Sequence, residues 1–580
     1  MASSKKMCES YYFDNSVPIP TESLLELIKN SCTGNEECHV TFTKPYESLT
    51  HHQLYEKAMD LAKGLLKIGL KRGDSFCSFG SQGSDSVLLL VACLSLGLKY
   101  TANYLYSPIP KVMTMMIKKI KPTAVLIGNC TSGKYQEHVC TEFTKVISEM
   151  AAGEGHGISH IFYDKHAAAD PKCSILSDWK SFADLINVGK EKLSDEQLIA
   201  AQSLVKPEDP FIYLCSSGST GDPKIITLTN GSISIAYGYS TWDNKIKGST
   251  VGCNDVMEGD VKLLLSLFFC LVGNSNLVVY PATNSSNNEE AVHEILSITE
   301  KYRMQLIVHR MDYIIQIVNN PSYKTQYDLS RVQALAVGGC LSSLEFKKKL
   351  MEFAPLSGDG YGGTEFLFST ASIPMSLLPP EKLNAVGKAR PFVELKIIDE
   401  EGVTVPVNTK GELCVRGWCL FLEYKDQPEL TAKVMDKYGW YHTGDMVSMD
   451  EDGFLYVYGR ISNAERWKIN GKVVYSISIE NVLMTHPSVR TCAVIGTDNG
   501  KGHDLNYVIE PAPGSGLTEE DVKKFATENM YNSLEWPIRI FFYKYADIPK
   551  TNGSRPKLNR KVLTEEIKQR VAQNPSEGLV

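Results

Sequence analysis

The sequence predicts an α/β fold: layered α/β subdomains, then a β-rich subdomain, then a small α+β unit towards the C-terminal end. Three observations predict it. Helix-like and strand-like patterns alternate through residues 48–127. Residues 387–399 and 411–417 carry the alternating apolar positions of a sheet with one face buried. At 580 residues the chain exceeds what a single core organises, so two or more domains are expected.

Over residues 48–70, Leu54, Ala58, Leu61, Ala62, Leu65 and Leu66 recur at intervals of three and four, which predicts a helix. His51 and His52 are neighbours at its start and point in different directions, so they read as solvent-facing residues rather than a metal pair. Lys71, Arg72, Gly73 and Asp74 end the helix in a turn. A strand over 75–80, an apolar helix around 87–98, a helix over 111–120 and a strand over 123–127 come next, with Met113, Met115 and Met116 as core gap-fillers. Residues 153–206 lose this periodicity and are expected to form a peripheral insertion before the chain re-enters the core at Phe211. The apolar run 263–273 reads as a core strand and a helix start. Residues 334–341 read as a strand running into Gly338 and Gly339, where missing side chains permit close approach. Behind the β-rich segment, a helix over 477–485, a strand over 491–496 and a helix over 518–529 make up the small unit.

Composition excludes several classes of function. A 43% hydrophobic share with 22% charged residues belongs to a globular chain. The net charge of −7 is spread along the chain, which argues against a nucleic-acid surface, where clustered basic residues are expected. The 15 cysteines are odd in number and form no C-x-x-C pair, so neither a zinc framework nor a disulfide scaffold is indicated, and a reducing compartment fits. The first residues lack the apolar stretch of a secretory signal, so the glycosylation-type tripeptides at Asn129, Asn230, Asn284 and Asn552 read as chance. The apolar run 87–98 is too short to cross a bilayer, and the last residues are not a peroxisomal tripeptide. The expectation is a cytoplasmic protein with no transmembrane segment.

Residues 213–224 read Y-L-C-S-S-G-S-T-G-D-P-K. Ser216, Ser217, Ser219 and Thr220 offer hydroxyl donors, Gly218 and Gly221 let backbone N–H groups turn towards an anion, and Lys224 can place a charge on outer phosphates. The spacing is not that of a nucleoside-triphosphatase P-loop. By themselves these residues suit a polar surface turn equally well. A second segment, Asp359, Gly360, Tyr361, Gly362, Gly363, Thr364 and Glu365, combines close-packing glycines, an aromatic face, a hydroxyl donor and an oxygen ligand for Mg²⁺. Alone it could be a plain turn.

Together and in this order, the two segments resemble the motifs of the adenylate-forming superfamily of acyl-CoA synthetases, peptide-synthetase adenylation domains and beetle luciferases. The first is similar to S-S-G-T-T-G-x-P-K-G, with Ser219 for the first threonine and Ile225 for the last glycine. The resemblance implies that Gly338 and Gly339 pack against adenine, Tyr361 stacks on it, Thr364 reaches the α-phosphate and Asp445 takes both ribose hydroxyls, with Asp359, Gly360 and Arg460 in the same nucleotide set. It sets Phe268, Phe269 and Gly339 beside the acyl group, with a second wall from residues 309–315.

The resemblance also divides the chain into a large ATP- and acyl-binding domain, 1–460, and a small mobile lid domain, 461–580. Residues 461–468 run two residues longer than the usual hinge and lack its charges. Lys468, Asn470 and Gly471 match the loop that faces the thioester-forming site. Near the end, Lys557 matches the catalytic lysine by its spacing to Arg560, although Pro556 replaces the usual glycine and two extra residues intervene.

The implied activity is ATP-dependent activation of a carboxylic acid, fatty or aryl, through an acyl adenylate, with thioester formation with coenzyme A as the second step. ATP, Mg²⁺ and coenzyme A are the implied cofactors and co-substrates, a small-molecule acid the partner, and Lys557, Lys468, Thr364 and Glu365 the catalytic set. Three alternatives are open at this point: an acyl-AMP ligase that hands its product to a carrier protein, an amino-acid adenylation domain, and a non-enzymatic binding protein on the same fold. The segment 365–387 is short for the insertion usual in the first, and the aspartate that binds the substrate amine in the second is missing. The altered hinge and lysine loop speak for the third.

Overall fold

The computed structural model describes residues 7–13, 22–44, 46–80, 83–102, 110–128, 139–151, 157–169, 175, 177–216, 224–238, 248–254, 261–280, 288–309, 311–338, 344–368, 370–371, 373–461, 466–469, 472–484, 486, 488–512, 514–530, 533–544, 547–549 and 558–579. Three sheets dominate the first 460 residues. An eight-stranded sheet runs in the order Glu423–Tyr424, Lys224–Thr229, Pro210–Ser216, Lys99–Ala102, Ser75–Phe79, Ala124–Ile127, His160–Tyr163, Lys180–Ser181. A seven-stranded sheet runs Asp359–Gly360, Ala334–Gly338, Leu306–Val308, Thr250–Asn254, Asn276–Tyr280, His39–Thr43, Tyr46–Thr50. Both are parallel except at one side, where the seven-stranded sheet ends in an antiparallel hairpin and the eight-stranded sheet in an antiparallel hairpin with Glu423–Tyr424 added antiparallel to it. The third sheet is antiparallel: Tyr11–Phe13, Val393–Ile398, Gly411–Gly417, Tyr441–Met449, Leu455–Arg460.

One continuous core joins all three, with Phe76, Val251 and Leu395 as members from each. The helix Ser84–Leu96 explains why the layers hold together. It is apolar on nearly every face and almost wholly buried, so only a place between layers removes it from water. It starts three residues before the apolar run does and ends at Gly97, whose φ of +63° suits a left-handed cap.

The helix expected from residue 48 begins at His51, because residues 48–50 complete the strand Tyr46–Thr50. Thr50 then caps the helix, its hydroxyl accepting from Gln53 N–H while the Gln53 side chain accepts from Thr50 N–H. His51 is not solvent-facing. It is fully buried beneath the first turn, and only His52 reaches the surface, accepting from Gly34 N–H.

Residues 153–206 are not a peripheral insertion. Strands His160–Tyr163 and Lys180–Ser181 extend the eight-stranded sheet, and helix Phe182–Lys192 lies directly on helix His51–Lys67. A Cβ on Gly189 would sit 1.9 Å from Asp60 O, and one on Gly64 2.1 Å from Leu185 O. Two glycines at the crossing let the backbones touch, and a stripe built partly from glycine shows little hydrophobic period. Likewise the run 263–273 is helical up to Val272, as part of Val261–Val272, and Gly273 turns out of the helix.

Residues beyond 461 build separate cores. The hairpin Arg466–Ile469 with Lys472–Tyr475 leads into helix Ser476–Leu483, and strands Val489–Asp498, His503–Pro511 and Arg539–Phe542 form a sheet flanked by helices Glu519–Asn529 and Arg560–Gln573. Trp467 lies against Gly496, where a Cβ would meet the indole at 2.2 Å, and so seats the hairpin on that sheet. No helix among the described residues is long and apolar enough to cross a membrane.

Burial pushes the His51 imidazole from its ordinary range down to about 4. Because the folded value lies below the unfolded one, its contribution is complete above pH 6.5 and is lost as pH falls from 6.5 towards 4. Relative to His51→Leu, the wild type is expected to lose about 3 kcal/mol of stability between pH 7 and pH 4 in denaturant titrations. A stability difference that stays constant across that window would show that the buried ring does not titrate this way.

Candidate active site

A cavity of about 610 Å³ opens where the three sheets meet the C-terminal unit. Its walls include Lys224, Tyr361, Glu365, Asp445, Arg460 and Arg560, residues drawn from segments more than 300 positions apart.

Lys224 is placed by the hairpin of the eight-stranded sheet, in which it pairs across from Ser216. Ser217, Gly218, Ser219, Thr220 and Gly221 lie between these strands in sequence and outside the described residues. The short strand Glu423–Tyr424 adds to the hairpin's free edge, with Tyr424 opposite Ile226 and Glu423 opposite Thr227. That pairing carries the Tyr424 ring under the Lys224 ammonium, 5.0 Å from its centroid. The Tyr424 hydroxyl donates to Glu365 Oε1 at 2.9 Å. A lysine and a carboxylate thus meet through one buried aromatic ring.

Asp445 stands in strand Tyr441–Met449, directly across from Arg460 in strand Leu455–Arg460. Gly444, at φ +69°, turns the chain just before it, and Glu412 Oε1 accepts the Gly444 N–H at 3.0 Å. Glu412 Oε2 lies 3.2 Å from His442 Nδ1, with Cys414 Sγ 3.6 Å from that same nitrogen. These groups brace the turn from behind. The Asp445 carboxylate is held from two sides: Tyr361 donates its hydroxyl to Oδ2, and Arg460 Nε lies 3.0 Å from Oδ1. Burial, and then the neighbouring Asp445 charge, push the Tyr361 phenol well above its ordinary range, so it stays a donor.

Gly338 ends its strand beside Gly360, and a Cβ on it would lie 3.1 Å from Gly360 O, so a side chain would crowd the approach. Asp359 lines the cavity but spends its charge internally. Its Oδ2 lies 3.0 Å from Lys347 Nζ, and both side chains are almost fully buried. Burial raises the Asp359 carboxyl above its ordinary range even though Lys347 pulls it down.

Three other expected residues do not line this cavity. Phe268 is fully buried in the main core and Phe269 is half-buried against it; neither lines the cavity, nor does Thr364, which is half-buried between two residues that do. Lys468 sits in the first strand of the hairpin after residue 465, opposite Val473. Gly339, Asn470, Gly471 and Lys557 lie outside the described residues. Arg560 opens the last helix, donates to Glu480 at 2.6 and 2.8 Å, and reaches the cavity wall. Tyr424, Lys347 and Glu412 were not singled out from the sequence. Tyr424 closes an apolar stretch that reads as a plain strand end, Lys347 is one of three lysines in a row, and neither pattern carries a signal for a partner elsewhere in the chain.

A family model described as AMP-binding enzyme matches residues 29–425, and one described as AMP-binding enzyme C-terminal domain matches residues 478–555. A mitochondrial medium-chain acyl-CoA ligase of Macaca fascicularis is 26% identical over 512 residues, covering 82% of this chain and 76% of the relative. A 4-coumarate–CoA ligase of Humulus lupulus is 25% identical over 537 residues, covering 90% of this chain and 89% of the relative. Among solved structures, an anthranilate CoA ligase in complex with anthranoyl-AMP superposes with a TM-score of 0.75 at 18% identity, over 96% of this chain and 99% of that one. That likeness bears on the fold.

Replacing Lys347 by Met is expected to strand the buried Asp359 charge and cost about 3–5 kcal/mol in chemical denaturation at pH 7. The cost should shrink on acidification, as Asp359 becomes neutral. A loss that stays small at neutral pH would mean that the pair is not what holds the floor of the cavity.

Proposed function

The chain belongs to the AMP-binding enzyme family, and on that premise we propose that it activates a carboxylic acid with ATP as an acyl adenylate and transfers the acyl group to coenzyme A. The observation that carries this reading is the meeting of Lys224, Glu365, Asp445 and Arg560 around one cavity. A phosphate-binding cation, a carboxylate suited to a hard metal and a carboxylate suited to a diol are what a nucleoside triphosphate requires.

In this proposal Lys224 and residues 216–221 hold the β- and γ-phosphates. Asp445 accepts the two ribose hydroxyls, with Arg460 and Tyr361 fixing its orientation beforehand. Gly338, Gly339 and Gly360 leave room for adenine against Tyr361, while Thr364 serves the α-phosphate. Glu365 fits a Mg²⁺ site: its Oε1 accepts from Tyr424, and no described residue hydrogen-bonds Oε2. When bound, the ion would offset phosphate charge. The substrate carboxylate attacks the α-phosphorus in line, the bond to the bridging oxygen breaks, and pyrophosphate leaves. Alignment and charge placement supply most of the acceleration.

Lys557 is assigned to the developing charge at the α-phosphate. The ends of its loop support this, since Asn559 N–H donates to Pro549 O at 2.8 Å and Arg560 lies on the cavity wall. Separate cores on either side of residue 461 support a large domain, 1–460, and a lid, 461–580, whose rotation would present Lys468 for the second step, in which the coenzyme A thiolate attacks the acyl carbonyl and AMP departs. The named substrates of the relatives, medium-chain acyl groups and 4-coumarate, favour a fatty or aryl acid. The cysteines of the described residues are all free, which supports a reducing compartment such as the cytoplasm.

Pyrophosphate release with a panel of short, medium, long and aromatic acids, with and without coenzyme A, tests the reading; no release with any acid would overturn it. Lys557→Ala is expected to slow adenylate formation roughly a hundredfold or more while sparing thioester formation from supplied acyl adenylate. Lys468→Ala should show the opposite split. Equal loss of both half-reactions in either variant would assign that lysine wrongly.

A further inference from the structure

The segment 421–424 touches Glu365 twice. Phe421 N–H donates to Glu365 O at 2.7 Å, and the Tyr424 hydroxyl donates to Glu365 Oε1 at 2.9 Å. The same segment is locked onto the hairpin that bears Lys224. Leu422 N–H donates to Thr227 O and Lys425 N–H to Ile225 O, both at 2.8 Å, on either side of the Ile226 and Tyr424 pair. Tyr424 N–H is satisfied by Thr431 Oγ1 at 3.0 Å, and the ring packs against Phe421 with centroids 4.8 Å apart. The residue is 2% exposed. Its ring therefore has one available pose, in which the hydroxyl reaches the carboxylate and the π face lies beneath the ammonium.

We propose that Tyr424 is a positioning residue that registers Glu365 against Lys224: its hydroxyl orients the carboxylate for the metal that accompanies ATP, and its ring face orients the lysine for the phosphates. The proposal rests on the assignment of Glu365 to that metal and of Lys224 to the outer phosphates. A tyrosine fits this place because a short donor would not span from the edge strand to Glu365, and a phenylalanine would serve the lysine alone. The two functions sit on different atoms of one side chain and are separable by substitution.

The test is equilibrium binding of ATP to the full chain by calorimetry, in EDTA and with Mn²⁺ in place of Mg²⁺, for wild type, Tyr424→Phe, Tyr424→Leu, Glu365→Gln and the Tyr424→Phe/Glu365→Gln double variant. Tyr424→Phe keeps the ring and should cut the metal-dependent gain in ATP affinity about tenfold, the scale of a hydrogen bond to a charged acceptor, while ATP affinity in EDTA is unchanged. Tyr424→Leu should weaken binding in EDTA as well. In the Glu365→Gln background, Tyr424→Phe should have no further effect on the metal-dependent gain. Thermal melting of each variant separates these effects from unfolding. Equal loss in EDTA and in Mn²⁺ for Tyr424→Phe, no loss in either, or additive effects in the double variant would overturn the proposal. Wild-type ATP affinity that does not respond to Mn²⁺ would instead overturn the metal assignment of Glu365, and the proposal with it.

Discussion

Two backbone pairs, Ile226 with Tyr424 and Thr227 with Glu423, bind the β-rich subdomain to the edge of the eight-stranded sheet. The cavity depends on them. They close a loop of about two hundred residues, a cost in chain entropy that grows only slowly with length and is outweighed by the apolar surface buried when the layers meet. An edge strand would otherwise present unpaired N–H and C=O groups to solvent. Here the edge is capped by a two-residue strand whose side chain faces the chemistry, so a structural need and a positional one are met by the same contact.

The second constraint is electrostatic. Carboxylates near a partly closed cavity are stable only if each is given donors, because an unpaired buried charge is costly. Asp359 is given Lys347, Asp445 is given Tyr361 and Arg460, and Glu365 is given Tyr424. Two of these partners are neutral phenols, which orient a carboxylate without cancelling its charge. Glu365, oriented by a phenol, keeps its charge for a cation; Asp445 shares its charge with the half-exposed Arg460, and Asp359, matched by the buried Lys347, serves as a floor.

Local patterns were legible where the reason for a structure was local. The apolar helix ending at Leu96 and the helix and strand content beyond residue 476 arise from periodicity and turn residues. The misreadings share one cause. Residues 48–50 look like helix by periodicity but belong to a strand because a neighbouring strand pairs with them and Thr50 caps the helix that starts at His51. Helix Phe182–Lys192 is concealed because it packs through glycine, and His51 because its burial comes from elements distant in sequence.

Short-range sequence carries the family, the order of the motifs, and the chemical type of each residue at the site: a lysine after a glycine-rich turn, a glutamate after paired glycines, an aspartate after a tight turn. A single segment holds each of these features whole. Packing alone settles that Lys224 and Glu365 share Tyr424, that Asp359 answers to Lys347, and that Asp445 is braced by Tyr361. Each of those contacts joins residues on different elements, and a contact of that kind exists only once sheets and helices have packed, since nothing in one strand's sequence encodes which side chain will lie opposite it.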